Sequence, residues 1–92
     1  MFFDVTHAEY LGNYQIHFEF EDGSSGVADL SNYPEDGTVF SAFFNLDYFS
    51  SFYIEHGTLV WGNGEIDIAP EKLYELATNK TVRYPEATTH RE

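Results

Sequence analysis

Carboxylates near turns and near a helix start are the side chains of this sequence that could bind a charged partner. Asp22 precedes a predicted strand and Asp29 lies near the end of that strand, and Asp67 and Glu71 flank an Ala-Pro pair that is typical of a helix start. Such acids could ligate a metal ion or contact a cationic protein. Carboxylates at a helix N-terminus also compensate its N–H groups and dipole, by about 0.3 to 1 kcal/mol. We take this structural role as the stronger interpretation of Asp67 and Glu71.

A glycine-rich segment next to the tryptophan is the second candidate feature. Gly62 and Gly64 flank Asn63, a pattern that first indicates a turn. The segment lacks the Lys of a phosphate-binding loop and the length of a dinucleotide fingerprint. Trp61 is predicted to lie in the core, and the alternative is that it anchors a protein interface. The candidate partner-binding residues are therefore Asp22, Asp29, Trp61, Asn63, Asp67 and Glu71.

Four histidines are the remaining candidates for metal or acid–base chemistry: His7, His17, His56 and His90. None forms a His-x-x-x-His pair or another spacing of metal ligands. His7 and His17 could face each other across a predicted hairpin, with Glu9 or Glu19 nearby, which leaves a two-histidine site as a minor alternative. No serine lies in a nucleophile-elbow pattern. We therefore expect no catalytic residue, no metal site, no cofactor and no enzymatic activity.

The charge of the chain narrows the classes of partner. Its 92 residues carry four Lys and Arg against sixteen Asp and Glu, a net charge of −12. Residues 1–71 contain no Lys or Arg and thirteen of the acids. Direct nucleic-acid binding and attraction to an anionic membrane are not expected, because both depend on basic side chains. The chain has no Cys, no signal-like start and no long apolar run, so we expect a cytoplasmic protein.

The positions of these residues depend on strands predicted in the first half of the chain. Residues 14–20 alternate apolar and polar side chains, which is typical of a half-buried antiparallel strand. An aromatic and β-branched stretch at residues 3–10 precedes it, and residues 11–13 supply a turn. Asp22 and Gly23 form the next turn, and residues 25–30 return as a third strand. Residues 31–37 are predicted to be a loop, because Pro and Gly punctuate them.

The second half contains two predicted helices and a hairpin. Phe40, Phe43 and Phe44 have the spacing of one short helix with an apolar stripe. Residues 51–55 and 58–61 flank His56 and Gly57 as a hairpin, and the last helix runs from Pro70 to residues 78–79. The order β-β-β-α-β-β-α predicts an α+β fold, with an antiparallel sheet of about five short strands and two helices packed on it. We expect one domain over residues 1–80 and a C-terminal tail over residues 81–92.

Two segments resemble a known family. Residues 20–23 are Phe-Glu-Asp-Gly, followed by Asp29-Leu30, and residues 61–74 are Trp-Gly-Asn-Gly-Glu-Ile-Asp-Ile-Ala-Pro-Glu-Lys-Leu-Tyr. They are similar to the small bacterial proteins of unknown function called DUF2442, in which a Trp-Pro-Asn-Gly-like segment leads into Asp-Ile-x-Pro-Glu-x-Leu-Tyr. The resemblance covers most of residues 5–77. Gly62 stands where Pro is usual, and the spacing from Gly64 to Asp67 is one residue longer, so we expect this loop to follow a different path.

The resemblance implies an α+β domain with no established enzymatic activity. Some members carry a helix-turn-helix after the domain, and others are encoded beside a second small protein, which resembles toxin–antitoxin pairs. This chain is too short for the first arrangement. We therefore expect an acidic interaction domain that binds a basic protein, as the antitoxin-like half of a two-gene pair. The alternative is a small-ligand or divalent-cation binding domain using Asp22, Asp29 and Asp67. A homodimer is also possible, because residues 40–52 are rich in Phe.

Overall fold

The computed structural model describes residues 3–79, which form six strands, a 3-10 helix and two α-helices. The strands are β1 (Val5–Gly12), β2 (Gln15–Phe20), β3 (Ser25–Asp29), β4 (Tyr53–Glu55), β5 (Thr58–Trp61) and β6 (Ile66–Ile68). The helical segments are the 3-10 helix (Val39–Phe44), α1 (Leu46–Phe49) and α2 (Pro70–Thr78). The α+β class is confirmed. The expected domain end at residue 80 and the tail at residues 81–92 lie outside the described residues.

The strands form two antiparallel sheets of three, ordered β1-β2-β3 and β4-β5-β6. The prediction of one sheet of five strands was therefore wrong. Residues 30–52 separate the two hairpins along the chain, and within residues 3–79 no strand ladder joins β1 to β4. A backbone hydrogen bond connects the two sheets, in which the Val5 N–H donates to the Gly57 carbonyl oxygen at 2.9 Å.

The first hairpin confirms the alternation of its second strand. Ile16, Phe18 and Phe20 are buried, whereas Glu19 between them is exposed. The turn begins two residues later than predicted, because Gly12 still pairs with Gln15 and only two residues connect the strands. Its residues at positions 13 and 14 have φ of 53° and 67°. Two consecutive positive φ values are typical of the hairpin turn that matches the twist of the strands.

The Phe-rich segment forms two helical pieces instead of the single predicted helix. Asn45 ends the 3-10 helix and starts α1, because its side chain accepts hydrogen bonds from the N–H groups of Asp47 (2.9 Å) and Tyr48 (3.3 Å). An Asn at this position stabilises a new helix start. Phe43 is fully buried, whereas Phe44 is 57% exposed. The segment therefore contributes most of its rings to the core and leaves few at the surface.

The second sheet contains one strand that was not predicted. The hairpin of β4 and β5 turns at His56 and Gly57 as expected, with φ of 53° and 78°. β6 then pairs antiparallel with β5, and Ile66 and Ile68 are buried on either side of the exposed Asp67. Three residues between a glycine-rich turn and a proline are too few for a periodicity argument.

Helix α2 has the predicted limits and packs on the first sheet. Pro70 is its first residue, and Asn79 ends it in the left-handed conformation with φ of 61°. Gly26 in β3 permits the close packing of the helix, because a Cβ at this position would collide with the carbonyl oxygen of Ala77. Leu73 and Tyr74 of the helix are buried and belong to the hydrophobic core.

The core joins both sheets and both helices, and aromatic rings form its centre. The rings of Phe43 and Trp61 lie 4.6 Å apart, and those of Phe43 and Phe49 lie 5.0 Å apart. All three side chains are fully buried. Aromatic contacts of this kind supply much of the buried area that a chain of this size needs. No helix within residues 3–79 combines the length and apolar character that crossing a membrane requires.

Candidate functional site: an acidic surface and a cleft beside helix α2

Acidic side chains dominate the surface of the described residues. Residues 3–79 contain fourteen Asp and Glu and a single basic residue, Lys72. Eleven of the fourteen are exposed, and no charged side chain in this part of the chain is buried. The acids therefore lie where a partner can reach them.

Asp22 connects the turn between β2 and β3 to helix α2. Its Oδ2 accepts hydrogen bonds from the hydroxyl groups of Tyr74 at 2.9 Å and Ser24 at 3.1 Å. Its Oδ1 accepts the backbone N–H of Ser24 at 2.8 Å. These bonds give the carboxylate a structural role, because they connect the turn between β2 and β3 to helix α2, which is far away in the sequence.

Asp29 lies at the end of β3 and shapes the loop that follows. Its Oδ1 accepts the backbone N–H of Ser31 at 2.9 Å. Hydrogen bonds from Ser31, first from its backbone and then from its side chain, lower the pKa of the Asp29 carboxyl, and the small desolvation opposes them. Asp29 is exposed and stays ionised to lower pH than an ordinary aspartate.

Trp61 lies in the core and not at an interface. Its side chain has no exposed surface, and its Nε1–H donates to the Phe49 carbonyl oxygen at 2.7 Å. The rings of Phe43 and Phe52 pack against it at centroid distances of 4.6 and 6.1 Å. The core interpretation is therefore the one that fits the structure, and a partner has no access to this ring in the folded chain.

Asn63 is exposed in the loop between β5 and β6. Two tyrosines, Tyr48 and Tyr53, lie close to Gly62 in this loop. Gly62 has a φ of 66°, whereas proline is held at about −65°, so this loop takes a path that proline at the same position would not permit. A Cβ on Gly62 would also collide with the Glu65 carboxylate. Burial, the Glu65 charge and its hydrogen bond raise the pKa of the Tyr48 phenol. Tyr53 donates from its hydroxyl to the Gly62 carbonyl oxygen at 2.9 Å.

Asp67 and Glu71 occupy different elements. Asp67 is an exposed residue of β6, opposite Val60. The residue that caps α2 is Ala69, which makes no side-chain capping bond, so Asp67, two residues earlier in the chain, does not cap the helix. Glu71 lies in the first turn of α2, where its negative charge interacts favourably with the positive end of the helix dipole.

The two-histidine site, which the sequence left as a minor alternative, does not form in the first hairpin. His7 lies opposite Glu19 and His17 lies opposite Glu9, so the two histidines are not direct cross-strand neighbours. Within residues 3–79, no group of three or more His, Asp or Glu side chains is placed to hold a metal ion. This finding includes the three carboxylates Asp22, Asp29 and Asp67 that the cation hypothesis combined.

A cleft of about 400 Å³ lies between the end of β3, the following loop, the 3-10 helix and α2. It is lined by Asp29, Asn32, Tyr33, Glu35, Phe40, Lys72 and Leu76. Asp29 is the only predicted site residue among them. Sequence reasoning missed the others because they come from three segments. The local signal that was available is the aromatic Tyr33 inside an otherwise polar loop.

Comparison with known proteins gives a family. The family model of DUF2442, a protein of unknown function, matches residues 5–79. No curated protein and no solved structure matches the chain significantly. The match spans both sheets and α2, and it includes the two segments on which the resemblance was based. The chain therefore belongs to the DUF2442 family.

Proposed function

We propose that this chain is a small acidic, non-enzymatic interaction domain that binds a basic protein, as the antitoxin-like half of a two-gene pair. The observation that supports the proposal is the surface charge, since eleven exposed acids share residues 3–79 with a single Lys. Such a surface accelerates encounter with a basic protein and disfavours nucleic acids and anionic membranes. We also propose a cytoplasmic location, on the sequence grounds given above.

Charge alone gives little affinity, because exposed ion pairs contribute about 0 to 1 kcal/mol each. Apolar contacts must supply the rest. Exposed apolar side chains available for this purpose include Phe44 at 57%, Leu46 at 43% and Ile54 at 36%. The expected interface therefore combines acidic residues with exposed apolar residues outside the core. Of the predicted partner-binding residues, Asp22, Asp29, Asn63 and Asp67 are exposed and remain accessible candidates.

The test is affinity capture from a lysate of the source organism at low and high salt. The captured proteins are identified, and the purified candidate is titrated against the domain. The proposal requires a basic protein that binds directly and more weakly at high salt. Recovery of no basic protein at either salt concentration contradicts it.

A small-ligand binding domain is the second candidate function, and the cleft beside α2 favours it. Ligand sites are typically concave and combine apolar walls with a few polar groups. A ligand that binds only the native state raises the unfolding temperature. Thermal melting with calcium, magnesium, manganese or zinc tests the divalent-cation version, and no shift at millimolar metal removes it.

A homodimer is a further proposal on the oligomeric state. Phe44 and Leu46 are separated by one residue in the chain and are both exposed, so they offer an apolar contact for a second copy. Most of the Phe-rich segment packs in the core, which leaves this contact small. Sedimentation equilibrium distinguishes a dimer from a monomer.

A further inference from the structure

The cleft beside α2 has an aromatic wall. The rings of Tyr33 and Phe40 lie 5.3 Å apart at an interplanar angle of 76°, and Leu76 of α2 adds an aliphatic side chain. Burial raises the pKa of the Tyr33 phenol, so this residue stays neutral at physiological pH. The wall thus offers aromatic surface to a flat group and no charge of its own.

The charged side chains of the cleft leave it with a net charge of −1. Asp29 and Glu35 are negative and Lys72 is positive, and all three are exposed at the cleft. The backbone N–H of Ser31 donates to Oδ1 of Asp29 at 2.9 Å. A bound group with a single positive charge would bring the net charge of the cleft to zero. A zwitterion would leave the cleft with its net negative charge, and an anion would increase that negative charge.

Among monovalent cations in proteins, the arginine side chain fits these walls best. Its guanidinium is planar, stacks on aromatic rings and donates several hydrogen bonds in a fixed fork that matches carboxylates. The lysine ammonium is compact and strongly hydrated, so it gains less from an aromatic wall. We propose that this cleft holds an arginine side chain of the basic partner. This inference rests on the proposed function and assigns the partner's anchoring residue.

The test is an NMR titration of the full chain with N-acetyl-arginine amide and, separately, with N-acetyl-lysine amide. We expect the arginine compound to shift the backbone amide signals of Asn32, Tyr33, Phe40 and Leu76. The lysine compound should bind more weakly at the same positions. Equal affinity for the two compounds, or shifts spread over the acidic surface, overturns the proposal.

Two variants test the charges of the cleft, one by removing its negative charges and one by removing its positive charge. Asp29→Asn with Glu35→Gln should weaken binding of the arginine compound about tenfold, since each exposed ion pair contributes at most about 1 kcal/mol. The Asp29→Asn side chain still has an Oδ1 to accept the Ser31 N–H, so the loop is retained. Lys72→Gln should strengthen binding about threefold, because it removes a like charge from the cleft. A loss of fold cannot produce that gain.

The matched control is Glu9→Gln with Glu55→Gln, which removes the same charge at exposed positions outside the cleft. It should change binding of the arginine compound less than twofold, since these exposed side chains do not line the cleft and their charges are screened by salt. An equal loss of binding in the control variant overturns the cleft assignment.

Experiments with the captured partner separate this inference from the proposed function. If the partner binds and the variant Asp29→Asn with Glu35→Gln leaves the affinity for the partner unchanged, the arginine assignment is wrong and the proposed function stands. If the arginine compound binds in the cleft and no basic protein is captured, the proposed function falls.

Discussion

Replacement of the buried tryptophan separates a core role from an interface role. In the Trp61→Phe variant the Nε1–H is lost, so the Phe49 carbonyl oxygen loses its donor at 2.7 Å. Both residues have no exposed surface, and water cannot replace that bond without entering the core. The smaller ring also leaves a space beside Phe43 and Phe52, which contact the indole.

The expected cost follows from these two losses. An unsatisfied buried carbonyl costs about 1 to 3 kcal/mol. The space left by the smaller ring, about 40 Å³, adds about 1 kcal/mol at roughly 24 cal/mol per Å³. We therefore expect the free energy of unfolding to fall by about 2 to 4 kcal/mol. For a chain of this length that corresponds to a drop in Tm of about 10 to 25 °C.

Circular dichroism during urea and thermal unfolding measures this change. Phe44→Leu is the matched control, since this aromatic side chain is 57% exposed and its replacement should change stability by less than about 0.5 kcal/mol. In the unmodified protein, fluorescence of Trp61, the only Trp, should resist quenching by iodide and should not respond to partner binding. A loss below about 1 kcal/mol for Trp61→Phe, or strong quenching, would refute the core assignment.

Three further predictions concern the elements around the cleft and the acidic turn. Gly26→Ala should lower the free energy of unfolding by about 1 to 3 kcal/mol in urea titrations, because the new Cβ collides with the Ala77 carbonyl oxygen and displaces α2. Tyr74→Phe removes, and Asp22→Asn weakens, the 2.9 Å hydrogen bond between these side chains, and each should cost about 1 kcal/mol in thermal unfolding, with less than additive loss in the double variant. The pKa of Asp29 is lowered in the folded state, so its ionised form stabilises the fold above the unfolded pKa and this contribution disappears as pH falls through the folded pKa. Asp29→Asn should therefore be less sensitive to acid, as measured by urea unfolding between about pH 6 and pH 3.

Each of these predictions has a result that contradicts it. Unchanged stability of Gly26→Ala would mean that α2 does not pack this closely on β3. Additive losses for the Tyr74 and Asp22 variants would mean that the two side chains do not interact. An Asp29→Asn variant that loses as much stability in acid as the unmodified chain would mean that the Ser31 bonds do not hold this carboxyl ionised.

Local sequence patterns predicted the elements whose signals lie within a few residues. The alternation through Ile16, Phe18 and Phe20 identifies a strand with one buried face, and the structure confirms it. Pro70 at the start and Asn79 at the end mark α2 correctly, because each favours the backbone conformation that its position requires. These elements needed no information from distant parts of the chain.

The sheet arrangement and the helical split depend on information that periodicity does not contain. β6 is only three residues long, and its pairing with β5 is a tertiary property. Asn45 divides the Phe-rich segment through its own side-chain hydrogen bonds, although the apolar spacing continues across it. The division into two sheets reflects which strand edges meet, and hairpin signals do not determine that.

The candidate site shows the same limit. The acidic character of the surface was predictable from the charge distribution, since it depends on composition. The cleft was not, because Asp29, Tyr33, Phe40 and Lys72 come together only when the loop and the 3-10 helix fold against α2. The structure also separates Trp61, which is buried, from Asn63, which is exposed two residues later.

The most direct test of the central claim is the salt dependence of binding between this domain and the basic protein captured with it. Isothermal titration calorimetry at several sodium chloride concentrations gives the Kd at each one. We expect the Kd to rise as salt increases, because added ions screen the exposed acids from the partner. A Kd that does not change with salt would contradict the claim that this acidic surface recognises a basic partner.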